Sequence, residues 1–235
     1  MHLFAADGES ALAFSRRALE KIPRHHKRAR LYANTYQLGA YQMIGNLETG
    51  LSVHQKAMAP YNNRDKNYHA MYLAKLGFIY WVDANLIALR QTAEAILDII
   101  KEHPSPVMVS FGLIYQGITH YHRNELQYAE DNLAKLVKIH YDGPMNFAHG
   151  SFALALTYQA QGKPGPAREI VRTVVRDSIE TNNANMLQVA RAFEAELAFR
   201  QGHFPMASRW LEKYHAKPFV PPFRFYMPQL TAVKI

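Results

Sequence analysis

Cysteine is absent from this chain, and its absence excludes two kinds of site. Disulfide frameworks and thiolate metal centres both require cysteine sulfur, so neither can form here. A cysteine-free chain also fits the reducing cytoplasm, where we expect this protein to act. Glycine and proline are sparse, with 12 of each among 235 residues, and no low-complexity tract occurs. Long disordered segments are therefore not expected.

Long hydrophobic runs and targeting signals are also missing. The most apolar stretch, residues 71–82, is too short to span a bilayer and contains Lys75. The first ten residues carry Asp7 and Glu9 and lack the basic start and apolar run of a signal peptide. We therefore expect no membrane partner.

Motifs for catalysis, cofactor binding and metal binding do not occur either. The sequence has no H-E-x-x-H, no G-x-S-x-G and no G-x-x-x-x-G-K-[ST], since Gly162 and Lys163 are followed by Pro164. His120 and His122 form the tightest histidine pair, but side chains two residues apart on a helix point to nearly opposite sides. We therefore expect no enzyme activity, no cofactor and no metal site.

The formal net charge of +8 is concentrated near the N-terminus, where residues 1–66 hold ten Lys and Arg against five acids. Most of that excess is one basic cluster, with His25 and His26 inside it: Arg16, Arg17, Lys21, Arg24, Lys27, Arg28 and Arg30. Direct nucleic-acid binding by this cluster would weaken steeply with added salt. A solvated helix end is the favoured interpretation, because no aromatic residues interleave the charges and no recognition-helix pattern follows.

What the chain does contain is an internal repeat of about 40 residues. Turn residues recur at Gly45, Asp83, Asn124, Gly162 and Gly202, and each is followed five residues later by a small residue. Two antiparallel helices with their turns have this length, and repetition at such a step is typical of helical repeat arrays. The small residue falls in the first turn of the second helix, where a bulky side chain would hold the two helix axes apart.

The repeat predicts one helical domain over residues 1–235 and no separate globular lobe. Its units are expected at about 1–26, 27–66, 67–104, 105–144, 145–184 and 185–217, with the start of a further unit at 218–235. Each unit would bury its apolar face only against its neighbours. Because neither end carries a polar capping unit, we expect the domain to be truncated at both ends, as a piece of a longer protein.

The units resemble tetratricopeptide repeats (TPRs) in their small residue, in Ala57 and Ala95 seven places further on, and in a closing Pro23 or Pro218. Longer and looser repeats of this kind are similar to the central region of the large ATP-dependent LuxR-type transcriptional regulators, such as the maltose-regulon activator. Four stretches carry that likeness: 8–23, 122–138 (HRNELQYAEDNLAKLVK), 152–167 (FALALTYQAQGKPGPA) and 222–235.

The resemblance implies an all-α fold, a right-handed superhelix of antiparallel helix pairs with roughly 11 helices. It also implies a bacterial protein whose repeats sense a small-molecule inducer and self-associate. DNA would be contacted only through a domain that this chain does not contain. The alternative is a stand-alone TPR-type scaffold that binds a protein or peptide. A carboxylate clamp is disfavoured, since Thr35 and Gly39 occupy the positions where such clamps carry Lys and Asn.

A ligand or partner would bind the groove formed by the first helix of each unit. Counting back from each turn predicts these groove residues: Tyr32, Gln42, Phe111, Ile114, Tyr121, Phe152, Gln159, Glu196 and Phe199. Aromatic faces beside a few polar tips suit a small organic ligand or a peptide with apolar anchors. The competing interpretation is that several of these side chains are inter-helix core. Unit 67–104 contributes no residue, because its turn can be placed at either of two neighbouring positions.

Overall fold

The computed structural model describes residues 7–59, 65–139, 144–215 and 226–235. Within these ranges the chain forms twelve helices and no strand: α1 (Gly8–Lys21), α2 (Lys27–Met43), α3 (Leu47–Met58), α4 (Lys66–Val82), α5 (Leu86–Glu102), α6 (Pro106–His122), α7 (Leu126–Lys138), α8 (Pro144–Ala160), α9 (Pro164–Glu180), α10 (Ala184–Arg200), α11 (Phe204–Lys213) and α12 (Pro228–Lys234). The expected all-α class is confirmed.

The helices pack in chain order. Among others, α2 packs on α3, α4 on α5, α8 on α9 and α10 on α11. Contacts also join α2 to α4, α8 to α10 and α10 to α12, which are first helices of neighbouring pairs. This pattern is that of a TPR-like array, in which each helix pair buries its apolar face against the next pair.

Each helix pair is closed by the same turn. Gly45, Ala84, Asn124, Gly162 and Gly202 have positive φ between first and second helices, and Asn182 repeats the geometry between α9 and α10. At the first of these, the Gly45 N–H donates to the Gln42 carbonyl at 3.1 Å and the Asn46 N–H to the Tyr41 carbonyl at 2.8 Å. The same two hydrogen bonds close the other five turns, so the six helices that precede these turns, α2, α4, α6, α8, α9 and α10, end in Schellman motifs.

The turn of the third unit lies one residue later than the repeat spacing indicates. Ala84 adopts φ 55°, whereas Asp83 is the C-cap of α4 with φ −78°. The residue five places after this turn is then Leu89, which is fully buried. Of the two neighbouring positions that the spacing allows, Asp83 was favoured because aspartate is a commoner turn residue than alanine.

The small residues in the second helices allow close helix contact, as the repeat predicts. Ala129, Ala167 and Ala207 have no exposed surface. At Gly50, an added Cβ would lie 2.6 Å from the Tyr41 Cβ and 3.0 Å from the Leu38 Cδ1. Real Cβ atoms do not approach so closely, so the backbone of α3 at Gly50 packs directly against side chains of α2.

The described residues divide into two compact units, one within residues 7–108 and the other within 109–215 and 226–235. The first has a core that includes Leu31, Leu38, Met58, Ile79 and Ile96. In the second, the rings of Phe152 and Phe193 stack at 4.4 Å, and the Tyr226 ring meets each of them edge-on. No helix in the described ranges combines the length and apolar character needed to cross a membrane.

Candidate functional site

The predicted groove residues fall on a few equivalent positions of the first helices. The position three residues before each turn is occupied by Gln42, Trp81, Tyr121, Gln159 and Phe199. All five side chains are half-buried. Four of them belong to the predicted set, and Trp81 belongs to the unit from which no residue was named. This position therefore offers polar or aromatic surface in every helix pair.

The position ten residues before each turn is different. It holds Thr35, Ala74, Ile114, Phe152 and Ala192, whose exposed fractions lie between 0 and 8%. Ile114 and Phe152 were predicted to face a ligand, and the structure places both in the packed core. This position faces the neighbouring helices in every pair. Helical spacing alone does not distinguish such a buried position from a position that faces the groove.

The position thirteen residues before the turn is more open at the start of the array. Tyr32 is 43% exposed, and the ammonium of Lys75 on α4 lies 5.0 Å from its ring centroid. Phe111 is half-buried at the same position in α6, with its ring 6.0 Å from that of Tyr115. Lys75 was not predicted, because it lies nine residues before the turn at Ala84, which is not one of the positions that the spacing assigns to the groove.

Glutamine side chains join neighbouring helix pairs near their turns. Gln42 Nε2 donates to the Ile79 carbonyl at 3.1 Å, and Gln201 Nε2 donates to Gln159 Oε1 at 2.8 Å. Gln161 Nε2 likewise donates to the Leu126 carbonyl at 3.3 Å. Two of the polar tips that suggested ligand recognition, on Gln42 and Gln159, therefore also fix one repeat against the next.

Glu196 is a buried carboxylate, six residues before the turn at Gly202. Its Oε1 accepts hydrogen bonds from Arg200 Nε at 2.8 Å and from Lys234 Nζ at 2.9 Å. Its Oε2 accepts one from Thr231 Oγ1 at 2.8 Å, and the Thr231 hydroxyl is also hydrogen-bonded to that of Tyr226. Burial acts to raise the pKa of Glu196, but the donors Lys234, Thr231 and Arg200 together hold it below its ordinary value.

Two of the donors to Glu196 come from α12, which the sequence suggested only as the start of a helix. Thr231 and Lys234 are three residues apart, so they lie on one face of α12. The sequence signal that could have found them is the charge of Glu196 among the apolar residues of α10, since a buried carboxylate requires a basic or hydroxyl partner. The two partners on α12, Thr231 and Lys234, are 35 and 38 residues from Glu196 along the chain.

The model of the "MalT-like TPR region" family matches residues 1–232. The chain belongs to this family. No curated protein matches the chain. Among solved structures, it resembles the crystal structure of BtubC (BKLC) from P. vanneervenii, with a TM-score of 0.66 and 13% sequence identity. The match covers 94% of this chain and 97% of that one. At this identity the likeness supports the helical-repeat fold of this MalT-like TPR region and nothing further.

The N-terminal basic cluster of this MalT-like TPR region is partly structural. Arg30 donates through NH1 to the carbonyls of Leu19 at 2.8 Å and Ile22 at 2.6 Å, so it caps the end of α1. Arg16 donates to the Tyr41 hydroxyl at 3.0 Å. These contacts agree with the interpretation of the cluster as a helix end, at least for two of its seven cations.

The histidines of this MalT-like TPR region contribute to packing and to surface pairs. Nδ1 of His120 lies 2.6 Å from Glu125 Oε2, and Arg123 Nε donates to the other oxygen of that carboxylate at 2.8 Å. His54 is buried, with its ring 5.2 Å from that of Tyr72, and burial lowers its pKa to about 4. Across the described ranges, no three His, Asp or Glu side chains come together as metal ligands would.

Proposed function

We propose that this MalT-like TPR region is the ligand-sensing and oligomerisation segment of a bacterial transcriptional regulator that acts in the cytoplasm. The observation that carries the proposal is the family match over residues 1–232. Its role is binding and not catalysis. Contact with DNA would belong to a domain outside this chain.

The inducer is proposed to bind the half-buried side chains three residues before the turns of the second compact unit. Tyr121 and Phe199 would supply aromatic faces, and Gln159 an amide group. Such a mixture of apolar surface and a few polar tips suits small organic ligands. An inducer would shift the region toward a self-associating conformation only as far as its affinity differs between the two conformations.

The test is a metabolite screen by thermal shift, followed by sedimentation of the protein with each compound that stabilises it. A sensor ligand should raise the melting temperature by mass action and should also increase the self-associated fraction. Tyr121→Ala should weaken binding of that ligand about tenfold, which is the effect expected of truncating an aromatic contact. Tyr128→Ala is the matched control, because Tyr128 is 63% exposed on the second helix of the same pair.

Two results would contradict the proposal. One is a panel of sugars, amino acids and organic acids in which no compound stabilises the protein. The other is a ligand that binds with no change in self-association. If extended peptides bound instead, and Tyr121→Ala weakened them, the chain would be a protein-binding TPR scaffold.

A further inference from the structure

Two first helices of this chain, α2 and α4, carry positive charge and no negative charge. These two helices carry no Asp or Glu, and their cations are Lys27, Arg28, Arg30, Lys66 and Lys75. The first helices α6 and α8 carry no Lys, Arg, Asp or Glu, and α10 carries both signs. A ligand that meets α2 and α4 therefore meets a surface whose charge complements an anion.

Two tyrosines form the exposed surface of α2 beside this charge. Tyr32 and Tyr36 are 43% and 41% exposed and lie one helical turn apart, so their rings share a face. The residues between and beyond them, among them Leu31, Thr35 and Leu38, are buried. Exposed aromatic rings on an otherwise buried helix supply stacking surface for an apolar ligand body.

Lys75 extends from α4 toward Tyr32. Its Nζ lies 5.0 Å from the Tyr32 ring centroid, a distance at which an ammonium is attracted to the ring face. Lys75 is half-buried, and the loss of hydration lowers its pKa. A half-buried ammonium interacts with an anion more strongly than one in bulk water, because the local dielectric is lower.

Hydrogen bonds hold α2 and α4 together at both ends of this surface. Gln42 Nε2 donates to the Ile79 carbonyl at 3.1 Å, and the Tyr68 hydroxyl donates to the Lys27 carbonyl at 3.3 Å. The acidic residue at the start of α4 is its N-cap, Asp65. It is ten residues before Lys75, which is about 15 Å along the helix axis. These two hydrogen bonds hold together the helices that carry the two tyrosines and Lys75.

We propose that Tyr32, Tyr36 and Lys75 form a binding site for a small organic anion. The carboxylate or phosphate of the ligand meets the Lys75 ammonium, and its apolar body lies against the two tyrosine rings. This inference rests on the proposed sensing function and names the chemical class of the ligand and one place where it binds.

The test is isothermal titration of the full chain with benzoate, phenyl phosphate and the uncharged benzamide. Benzoate or phenyl phosphate should bind, and the tighter of the two identifies the anionic group. Benzamide should not bind detectably. Lys75→Met keeps the length of the side chain but removes the charge, and it should weaken anion binding about tenfold or more. Lys75→Arg should keep most of the affinity.

Lys163→Met is the matched control. Lys163 also lies over a tyrosine ring, 5.7 Å from that of Tyr158, but in the second compact unit, where its ammonium pairs with Glu130 at 2.9 Å. This variant should bind the anions as the wild type does. Tyr36→Ala, at a position that is 41% exposed, should weaken binding by loss of stacking.

Several results would overturn the proposal: equal binding of benzamide and benzoate, unchanged binding in Lys75→Met and Tyr36→Ala, an equal loss in Lys163→Met, or no binding of any anion. A neutral metabolite that stabilises wild type and Lys75→Met equally and promotes self-association would overturn this site while supporting the sensing function. Anion binding that is lost in Lys75→Met but never changes self-association would support the site and contradict the sensing function.

Discussion

At the scale of single residues, Glu196 differs from the surface acids of the chain in its burial. Its side chain is 3% exposed, whereas those of its partners Arg200 and Lys234 are 40% and 44% exposed. A buried carboxylate is stable only when its lost hydration is replaced, and three donors supply the replacement here. The hydrogen bonds from Thr231 and Lys234 to Glu196 therefore join α12 to α10, but the burial of the carboxylate offsets much of the stability that they contribute.

Glu196→Ala should lower the free energy of unfolding by about 2 kcal/mol, because Thr231 loses its acceptor while Arg200 and Lys234 can return to water. Glu130→Ala, which breaks the more exposed pair with Lys163, should cost less than about 1 kcal/mol. The measurement is urea unfolding followed by Trp210 fluorescence in the Trp81→Phe background. Equal losses in the two variants would contradict the role of burial.

His54 makes the stability of the chain depend on pH. Burial lowers its pKa from 6.5 to about 4, so the unfolded chain binds a proton in this interval and the folded chain does not. The contribution of neutral His54 is fully present above pH 6.5 and is lost as the pH falls to 4, at about 1.4 kcal/mol per pH unit.

His54→Phe keeps a ring beside Tyr72 but cannot titrate. Its unfolding free energy should therefore fall less steeply than that of the wild type as the pH is lowered from 6.5 to 4. Urea unfolding at a series of pH values, followed by Trp81 fluorescence in the Trp210→Phe background, provides the comparison. Parallel curves for the two proteins would show that His54 is not the group responsible.

At the scale of the helix pair, the left-handed residue of each Schellman turn affects the free energy of unfolding. Ala84 occupies a left-handed conformation that costs an alanine about 1 kcal/mol relative to glycine. Ala84→Gly should therefore stabilise the chain by about 0.5–1 kcal/mol, and Gly45→Ala should destabilise it by a similar amount. An added Cβ at Gly45 meets no atom within 4 Å, so the second change tests backbone conformation alone.

Thermal or urea unfolding of both variants measures the two effects. Gly45→Ala and Ala84→Gly control for each other, because they exchange the same two residues in equivalent turns. A stability change of the same sign in both would contradict the assignment of Ala84 as the turn residue.

At the scale of the whole molecule, each compact unit contains one tryptophan. Trp81 lies in the unit within residues 7–108 and Trp210 in the unit within residues 109–215 and 226–235. Variants that retain a single tryptophan, Trp81→Phe or Trp210→Phe, therefore report on one unit each. Because helix repeats contact mainly their neighbours, a change in one unit need not propagate through the array.

Glu196→Ala should lower the unfolding midpoint reported by Trp210 and affect the midpoint reported by Trp81 less. Urea unfolding of Glu196→Ala in both single-tryptophan backgrounds tests this. Equal shifts in the two midpoints would show that the chain unfolds as one cooperative body, against the local coupling expected of a repeat array.

The fold was largely readable from the sequence, because helical repeats are encoded locally. The turn residues Gly45, Asn124, Gly162 and Gly202 lie where the spacing predicted them. The third turn differs, because its left-handed residue is Ala84 and not Asp83. The expected unit bounds, 27–66 through 185–217, stay predictions. The expected inducer, partner and oligomeric state stay predictions.

The candidate site was less predictable, because apolar spacing marks a buried face without saying what covers it. Phe152 and Tyr121 follow the same periodicity, yet Phe152 stacks on Phe193 in the core while Tyr121 is half-exposed. Only the packing of one helix pair on the next distinguishes the two positions.

The sequence by itself determined the repeat, its helices and its turns, since left-handed turn residues and small contact residues act over a few neighbouring positions. The tertiary structure alone decided which polar groups meet. Glu196 and Lys234 are 38 residues apart, and Lys75 and Tyr32 are 43 apart in sequence. Partners so far apart are set by how each helix pair is seated on the next, and no local pattern encodes that geometry.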